Sequence, residues 1–273
     1  MEASIQMFQR KFNPANFLFL IICFTLHANE DDLIEGISGE IIAIPASINT
    51  KNNLLTFKTS SGSKQLVSLP FVKQDLIITR HHVDVKVNYV NFGESRITIN
   101  DLSKVNLSKE NQTRANREAL EIKAALSKST TEITPSFNFI PPVPGNVTSP
   151  FGKQRFINGS PRSAHLALDL SGAIGTPIIA PLKGKVVLVG NYFYTGLTLI
   201  LDHGHGLFSS YAHMSEIKAE LGDLLEQSQQ IGSVGSTGRV TGPHLHWTVY
   251  LNKVKINPES LINENFLTSL LKL

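Results

Sequence analysis

Two short segments hold the residue types and spacings from which a metal site can be built. In His165-Leu166-Ala167-Leu168-Asp169, alternation at period 2 puts Leu166 and Leu168 on one face and His165, Ala167 and Asp169 on the other. In a straight strand the Cα atoms of His165 and Asp169 would stand roughly 13 Å apart, so sharing one ion requires the chain to bend. The small Ala167 leaves room for that bend. In His244-Leu245-His246 both imidazoles share a face with Cα atoms roughly 7 Å apart, so one can bind a metal while the other stands beside the water it activates. Taken alone, these residues are equally compatible with unconnected core or surface side chains.

Five of the nine histidines, at 203, 205, 213, 244 and 246, fall close together in the second half of the chain. His203 and His205 form another pair, but the glycines flanking His205 read as a hairpin turn, which gives that pair a structural or rim role. His81 and His82 are adjacent, so in a strand they would point to opposite faces and could not share one ion; they read as surface or loop residues. The glycine-rich stretch from Gly232 to Gly242 lacks the Gly-Lys-Ser/Thr ending of a phosphate cradle and reads as turns bordering a groove. Tyr192, Phe193 and Tyr194 either line that groove or pack on one another. The only cysteine, Cys23, lies in the N-terminal apolar run, so the remaining chain has neither a thiol nucleophile nor a thiolate zinc site.

The elements that must position these residues are mostly strands. From Gly36 to Ile99, short runs such as Glu40-Ile41-Ile42-Ala43-Ile44, Gln65-Leu66-Val67-Ser68-Leu69 and Asp84-Val85-Lys86-Val87 alternate with polar clusters, the pattern of a small antiparallel β domain. Ala115, Ala119, Leu120, Ile122 and Ala125 recur at helical spacing with Ser108 as N-cap, which predicts one helix ending near Leu126. Pro135, Pro141, Pro142 and Pro144 then fix several φ angles and remove donors, so the stretch from Ser129 to Gly145 reads as a linker. Beyond Val147, runs including 184–189, 197–201, 208–212 and 246–251 are separated by glycines, again an antiparallel β pattern. The fold class expected is mainly β: an antiparallel sheet domain at 143–273, preceded by a β domain at 29–103 and a helix and linker at 104–142.

At 41% hydrophobic and 17% charged residues the 273-residue chain is of ordinary globular composition, which excludes disorder and coiled coil. The formal charge of +3 drops to about +2 without residues 1–28, too small an excess to indicate nucleic acid. Arg10 and Lys11, the uncharged run from Phe17 to Leu26, and the acidic Glu30-Asp31-Asp32 read as a secretory signal peptide cleaved near Ala28. That run is well short of the ~20 residues of a membrane span, so no permanent span is expected.

The segments Ser149-Pro150-Phe151-Gly152, Arg155, Asn158-Gly159, Pro161-Arg162, His165 to Asp169, Gly175-Thr176-Pro177, Gly184-Lys185-Val186, Tyr211-Ala212-His213-Met214, Gly232 to Gly238 and Thr241-Gly242-Pro243-His244-Leu245-His246 together resemble the lysostaphin/LytM family of peptidoglycan endopeptidases, in the family's order. The resemblance implies that His165, Asp169 and His246 hold one zinc ion per chain and that His213 and His244 are the catalytic pair beside it. Three protein ligands leave zinc a fourth position, the mark of a catalytic site. It further implies peptidoglycan stem peptides as partners and a periplasmic or cell-envelope location. The cross-link cut is expected to be the direct D-alanyl link to a diamino acid. The β domain at 29–103 is expected to regulate access to the groove. A non-hydrolytic activator of other wall hydrolases is the alternative, against which the retention of all five residues speaks.

Overall fold

The computed structural model describes residues 33–46 and 55–272; the expected signal peptide lies outside them. The N-terminal part contributes β1 (Ile34–Ile37), β2 (Ile41–Pro45), β3 (Thr56–Thr59), β4 (Gly62–Ser68), β5 (Leu76–Arg80), β6 (Val83–Asn88) and β7 (Glu94–Ile97). After α1 (Lys109–Ala125) come β8 (Val147–Ser149), β9 (Gln154–Ile157), β10 (Ser160–Pro161), β11 (Leu168–Ser171), β12 (Pro177–Ile179) and β13 (Gly184–Tyr192). β14 (Gly196–Gly204), β15 (Leu207–Ile217), β16 (Leu224–Leu225), β17 (Gln230–Val234), β18 (His244–Leu251), β19 (Val254–Ile256) and α2 (Phe266–Leu271) complete the chain.

Long, glycine-bounded apolar runs make β14, β15 and β18 the centre of a sheet ordered β16-β13-β14-β15-β18-β11-β8, antiparallel throughout. Leu168, Leu199, Leu201, Tyr211, Leu245, Trp247 and Val249 build its core. The mainly β class of the sequence reading is what the structure shows.

The N-terminal strands form two small sheets, β2-β4-β3 and β1-β6-β5. The nearly unbroken apolar run of β2 has a direct consequence: Ile41 joins the main core, whereas Ile42 and Ile44 turn to the other side and pack with Val67, Leu69, Val85 and Val87. The sheet is thus buried on both faces. The sequence predicts antiparallel pairing throughout, and the structure departs from that: β1 runs parallel to β6 and β7 parallel to β9. Such pairs need a long crossover and leave no hairpin signature to read.

The helix begins where its cap predicts, with the Ser108 hydroxyl accepting from the Asn111 amide at 3.2 Å. Its buried face differs from the apolar one expected, since Leu120 is 66% exposed while Glu118 is buried. Glu118 docks the helix: Oε1 accepts from Arg114 Nε at 2.6 Å and Oε2 from the Phe193 amide at 2.6 Å. The proline-rich stretch is irregular, as its composition requires, yet Phe137, Phe139 and Val143 are buried in the main core.

Candidate metal centre

The bend that His165 and Asp169 need is present. His165 lies in irregular chain ahead of β11, Ala167 sits at the turn into that strand, and Asp169 is inside it. The simple alternation fails there, because Ala167 is buried with Leu168 while Leu166 is only partly so. Antiparallel register places Asp169 opposite His246 and His246 opposite Ala212. Asp169 Oδ1 therefore stands 3.1 Å from His165 Nε2 and 2.7 Å from His246 Nδ1, and the two nitrogens are 3.3 Å apart. Ligands at ~2.0–2.1 Å from a tetrahedral zinc ion are separated by about 3.3 Å, close to this triangle.

The donor chemistry of the three atoms also fits a cation. His165 Nδ1 faces the Pro150 carbonyl at 3.2 Å and the Ser149 hydroxyl at 3.0 Å. A carbonyl only accepts, so the tautomer protonated on Nδ1 is anchored there and frees Nε2 as a metal ligand, whereas the tautomer protonated on Nε2 donates to Asp169. The Ser149-Pro150-Phe151-Gly152 segment thus fixes the ring, helped by the Gly152 amide donating to the His165 carbonyl at 2.7 Å. Burial opposes ionisation of Asp169, but the hydrogen bonds to His165 and His246 outweigh it and hold its carboxyl well below the usual carboxylate range. Burial pushes His246 down to about 4, against the pull of Asp169.

His213 and His244 stand beside this triangle, with ring centroids 4.9 Å apart; His213 and His246 are separated by 5.6 Å. His213 occupies a β-bulge: Leu197 pairs with Met214 and Leu199 with Tyr211, so Ala212 and His213 together oppose Thr198. Its φ of 64° lies in the left-handed region that non-glycine residues avoid. Two carbonyls hold it there. The His213 amide donates to Thr195 and Nδ1 donates to Thr237, each at 2.8 Å. These two carbonyls approach so closely because Gly196, at φ 62°, lacks a Cβ that would collide with Thr237. His244 Nδ1 likewise donates to the Gly242 carbonyl at 2.9 Å, leaving Nε2 3.8 Å from Asp169 Oδ1. Burial first, then the neighbouring His246 and His244, lower His213 to about 3, so it is neutral at physiological pH.

All five residues singled out in the sequence are therefore brought together, and among the described residues the groups able to hold a metal are His165, Asp169 and His246, and His213, His244 and His246. The first contains the tight triangle and the carboxylate. His203 and His205 are elsewhere: His203 is fully buried and His205 forms the β14–β15 turn at φ 52°. His81 and His82 make the tip of the β5–β6 hairpin, at φ 48° and 69°.

Of the other residues around the centre, Tyr194 was expected to line the groove or pack on its neighbours and Arg155 belonged to the segments of the family resemblance, while Ile97 and Ile99 were read only as a strand run. A cavity of about 150 Å³ beside His213, His244 and His246 is also lined by Ile97, Ile99, Arg155, Tyr194 and Arg239. Ile97 and Ile99 belong to a strap that crosses from β9, where Asn158 pairs with Ile99 in both directions, to the 238–239 turn, where Lys104 Nζ donates to the Gly238 carbonyl at 2.8 Å. Arg155 lies 3.5 Å from Asp169 Oδ2. Arg239 stacks over Tyr194 at 4.2 Å. The expectation that the glycine-rich stretch borders a groove covers the position of Arg239 as well.

Residues 163–258, which contain all five, match the sequence profile of Peptidase family M23. The chain carries an M23 peptidase domain. The chain is 35% identical over 112 residues to the peptidoglycan DD-endopeptidase ShyA of Vibrio cholerae, covering 41% of this chain and 26% of that protein. It is 34% identical over 125 residues to the DD-carboxypeptidase/endopeptidase Mpg of Neisseria meningitidis, covering 46% and 29%. The chain thus spans under a third of the length of either relative. A crystal structure assigned to peptidase M23 from Pseudomonas aeruginosa superposes with a TM-score of 0.62 at 28% identity over 84% of this chain and 95% of that one. That likeness extends well beyond the M23 domain itself, into the N-terminal strands or α1.

Proposed function

We propose that this chain is a zinc-dependent endopeptidase that hydrolyses peptide cross-links of bacterial peptidoglycan, at the D-alanyl to diamino acid bond, during wall growth, remodelling or daughter-cell separation. The observation that carries this reading is the convergence of His165 Nε2, Asp169 Oδ1 and His246 Nδ1 within 3.3 Å of one another, three donor atoms at the mutual spacing of ligands around one zinc ion. The DD-endopeptidase names of the relatives support the bond. Export to the periplasm or cell envelope follows from that substrate; no helix among the described residues is long and apolar enough to cross a membrane.

His165, Asp169 and His246 would hold the ion. Zinc bound there supplies Lewis acidity toward the scissile carbonyl and the attacking water. His213 and His244 each anchor Nδ1–H on a backbone carbonyl, so each presents Nε2 as a proton acceptor. As water oxygen bonds to the carbonyl carbon, one Nε2 takes its proton; as the C–N bond breaks, that proton passes to the leaving amine. Because Nδ1 stays tied to its carbonyl, the ring gains and loses the proton without turning. The strap bearing Ile97 and Ile99 narrows the cavity in front of this pair, which supports a regulatory role for the residues before the M23 domain.

Metal analysis together with digestion of purified cross-linked muropeptides tests the reading. The chain is expected to bind one zinc ion and release monomers, activity is lost on chelation and restored by zinc, and His246→Ala falls to background in both metal content and cleavage. A zinc-loaded chain that cuts no cross-linked muropeptide near neutral pH would overturn it.

A further inference from the structure

The cavity beside the histidines carries more positive charge than the metal triangle needs. Arg155 and Arg239 both line it, and among the described residues its only carboxylate is Asp169, whose Oδ1 belongs to the triangle. Arg155 takes what remains, a 3.5 Å contact with Oδ2, and its Nε is buried without an acceptor among the described residues. Arg239 makes no ion pair among them. Its charge is instead opposed by burial and by Arg162, and its guanidinium has only the Tyr194 ring and a 3.5 Å contact to the Lys104 carbonyl of the strap. Two guanidinium groups that face one cavity repel each other, and an anion bound between them would relieve that repulsion.

We propose that Arg239, together with Arg155, forms a carboxylate subsite that selects substrates bearing a free carboxylate next to the scissile amide. The inference rests on the peptidase reading above and names what distinguishes its substrate. In a direct cross-link between D-alanine and a diamino acid, the carbon bonded to the scissile nitrogen also bears a free carboxylate. The terminal D-alanine of an uncleaved stem peptide presents the same arrangement, whereas an amide within a glycine bridge is flanked only by neutral amides. A carboxylate two bonds from the scissile nitrogen must lie in the same small cavity as His213 and His244, where Arg239 stands. Guanidinium groups suit this task, since their planar donors match a carboxylate fork. The strap carbonyl of Lys104 occupies an Arg239 donor that a substrate oxygen would take, so strap and substrate compete for the same group.

The experiment compares two cross-linked muropeptide dimers, identical except that this carboxylate is free in one and a carboxamide in the other. It uses the full zinc-loaded chain and, to release the strap, the same chain with Lys104→Ala. The free acid is expected to be cleaved with kcat/KM at least about tenfold higher, the value of a hydrogen bond to a charged group. Arg239→Gln brings the ratio near one through KM, and Arg239→Lys keeps part of the preference. Calorimetric binding of the same dimers to metal-free protein gives a second readout. Tighter binding of the acid, abolished by Arg239→Gln, supports the subsite even where neither dimer is cut, an outcome that would overturn the peptidase reading alone. Equal cleavage or equal binding of the two dimers, or a preference that survives Arg239→Gln, would overturn the subsite and leave the peptidase reading standing.

Discussion

At the scale of single residues, His203 shows how a histidine inside the M23 domain can be chemically committed without touching the metal centre. Its Nδ1 donates to the Lys183 carbonyl at 2.7 Å, its Nε2 therefore accepts from the Ser209 hydroxyl at 2.7 Å, and Ser209 Oγ accepts from the Tyr211 hydroxyl at 2.6 Å. Each proton in this buried chain has one place to go, and burial lowers His203 to about 4. Because the folded value lies below the ordinary 6.5, the unfolded chain binds the extra proton more readily. The stabilisation held above pH 6.5 is therefore lost progressively as pH falls toward 4. Denaturant melts between pH 7 and pH 4 are expected to show this decline, and His203→Leu, which strands the Lys183 carbonyl and Ser209, should cost about 2–4 kcal/mol at pH 7 and make it shallower, the rest belonging to His213 and His246. An unchanged slope in the variant would show that His203 is not among its sources. The sequence sets the His203 and His205 pair outside the site because the glycines flanking His205 announce a turn, although His203 itself lies at the end of β14. For His213 no comparable signal exists, since its left-handed backbone depends on Thr195 and Thr237, which only folding brings close.

At the scale of elements, what was legible followed period and punctuation. The apolar runs of β2, β4, β6, β13, β14, β15 and β18 and the Ser108 cap of α1 lie close to where their patterns place them. Unread were elements whose pairing is distant and whose sequences are short or polar: β8, β9, β10, and the parallel partnership of β7 with β9. The pairing of β7 with β9 anchors the strap, so the sequence could suggest that preceding residues regulate the groove but not which residues do so. Lys104 Nζ ties the far end of the strap to Gly238, next to Arg239. If the closed strap limits access, Lys104→Ala enlarges the open population and raises kcat/KM for cross-linked muropeptides by on the order of tenfold, with Lys104→Arg nearer to the parent. Equal kcat/KM for the parent and Lys104→Ala would remove the strap from regulation and leave it as packing.

At the scale of the whole molecule, the described residues from Ile34 onward form one compact unit, although the composition of the chain suggests a boundary near the helix and linker. The reason lies in β2 and β4. Ile41 and Leu66 are buried in the core of the catalytic sheet, and Ser68 donates to the Leu251 carbonyl at 2.8 Å across 183 residues of chain. The opposite face, through Ile44 and Val67, closes a second core with Val85 and Val87. A sheet shared in this way transmits loss on either face to the other, so unfolding should be a single cooperative transition. Leu66→Ala and Ile44→Ala are each expected to cost about 2–5 kcal/mol, and scanning calorimetry should show each lowering that one transition, by roughly 2–4 °C per kcal/mol. Two separable transitions, with Ile44→Ala moving one and sparing the other, would instead make the N-terminal strands an autonomous domain. The single transition also bears on access to the metal centre: with β2 and β4 fixed in the main core, the covering strap between β7 and α1 must open by local release at Lys104, because swinging the N-terminal sheets away would expose Ile41 and Leu66 to water.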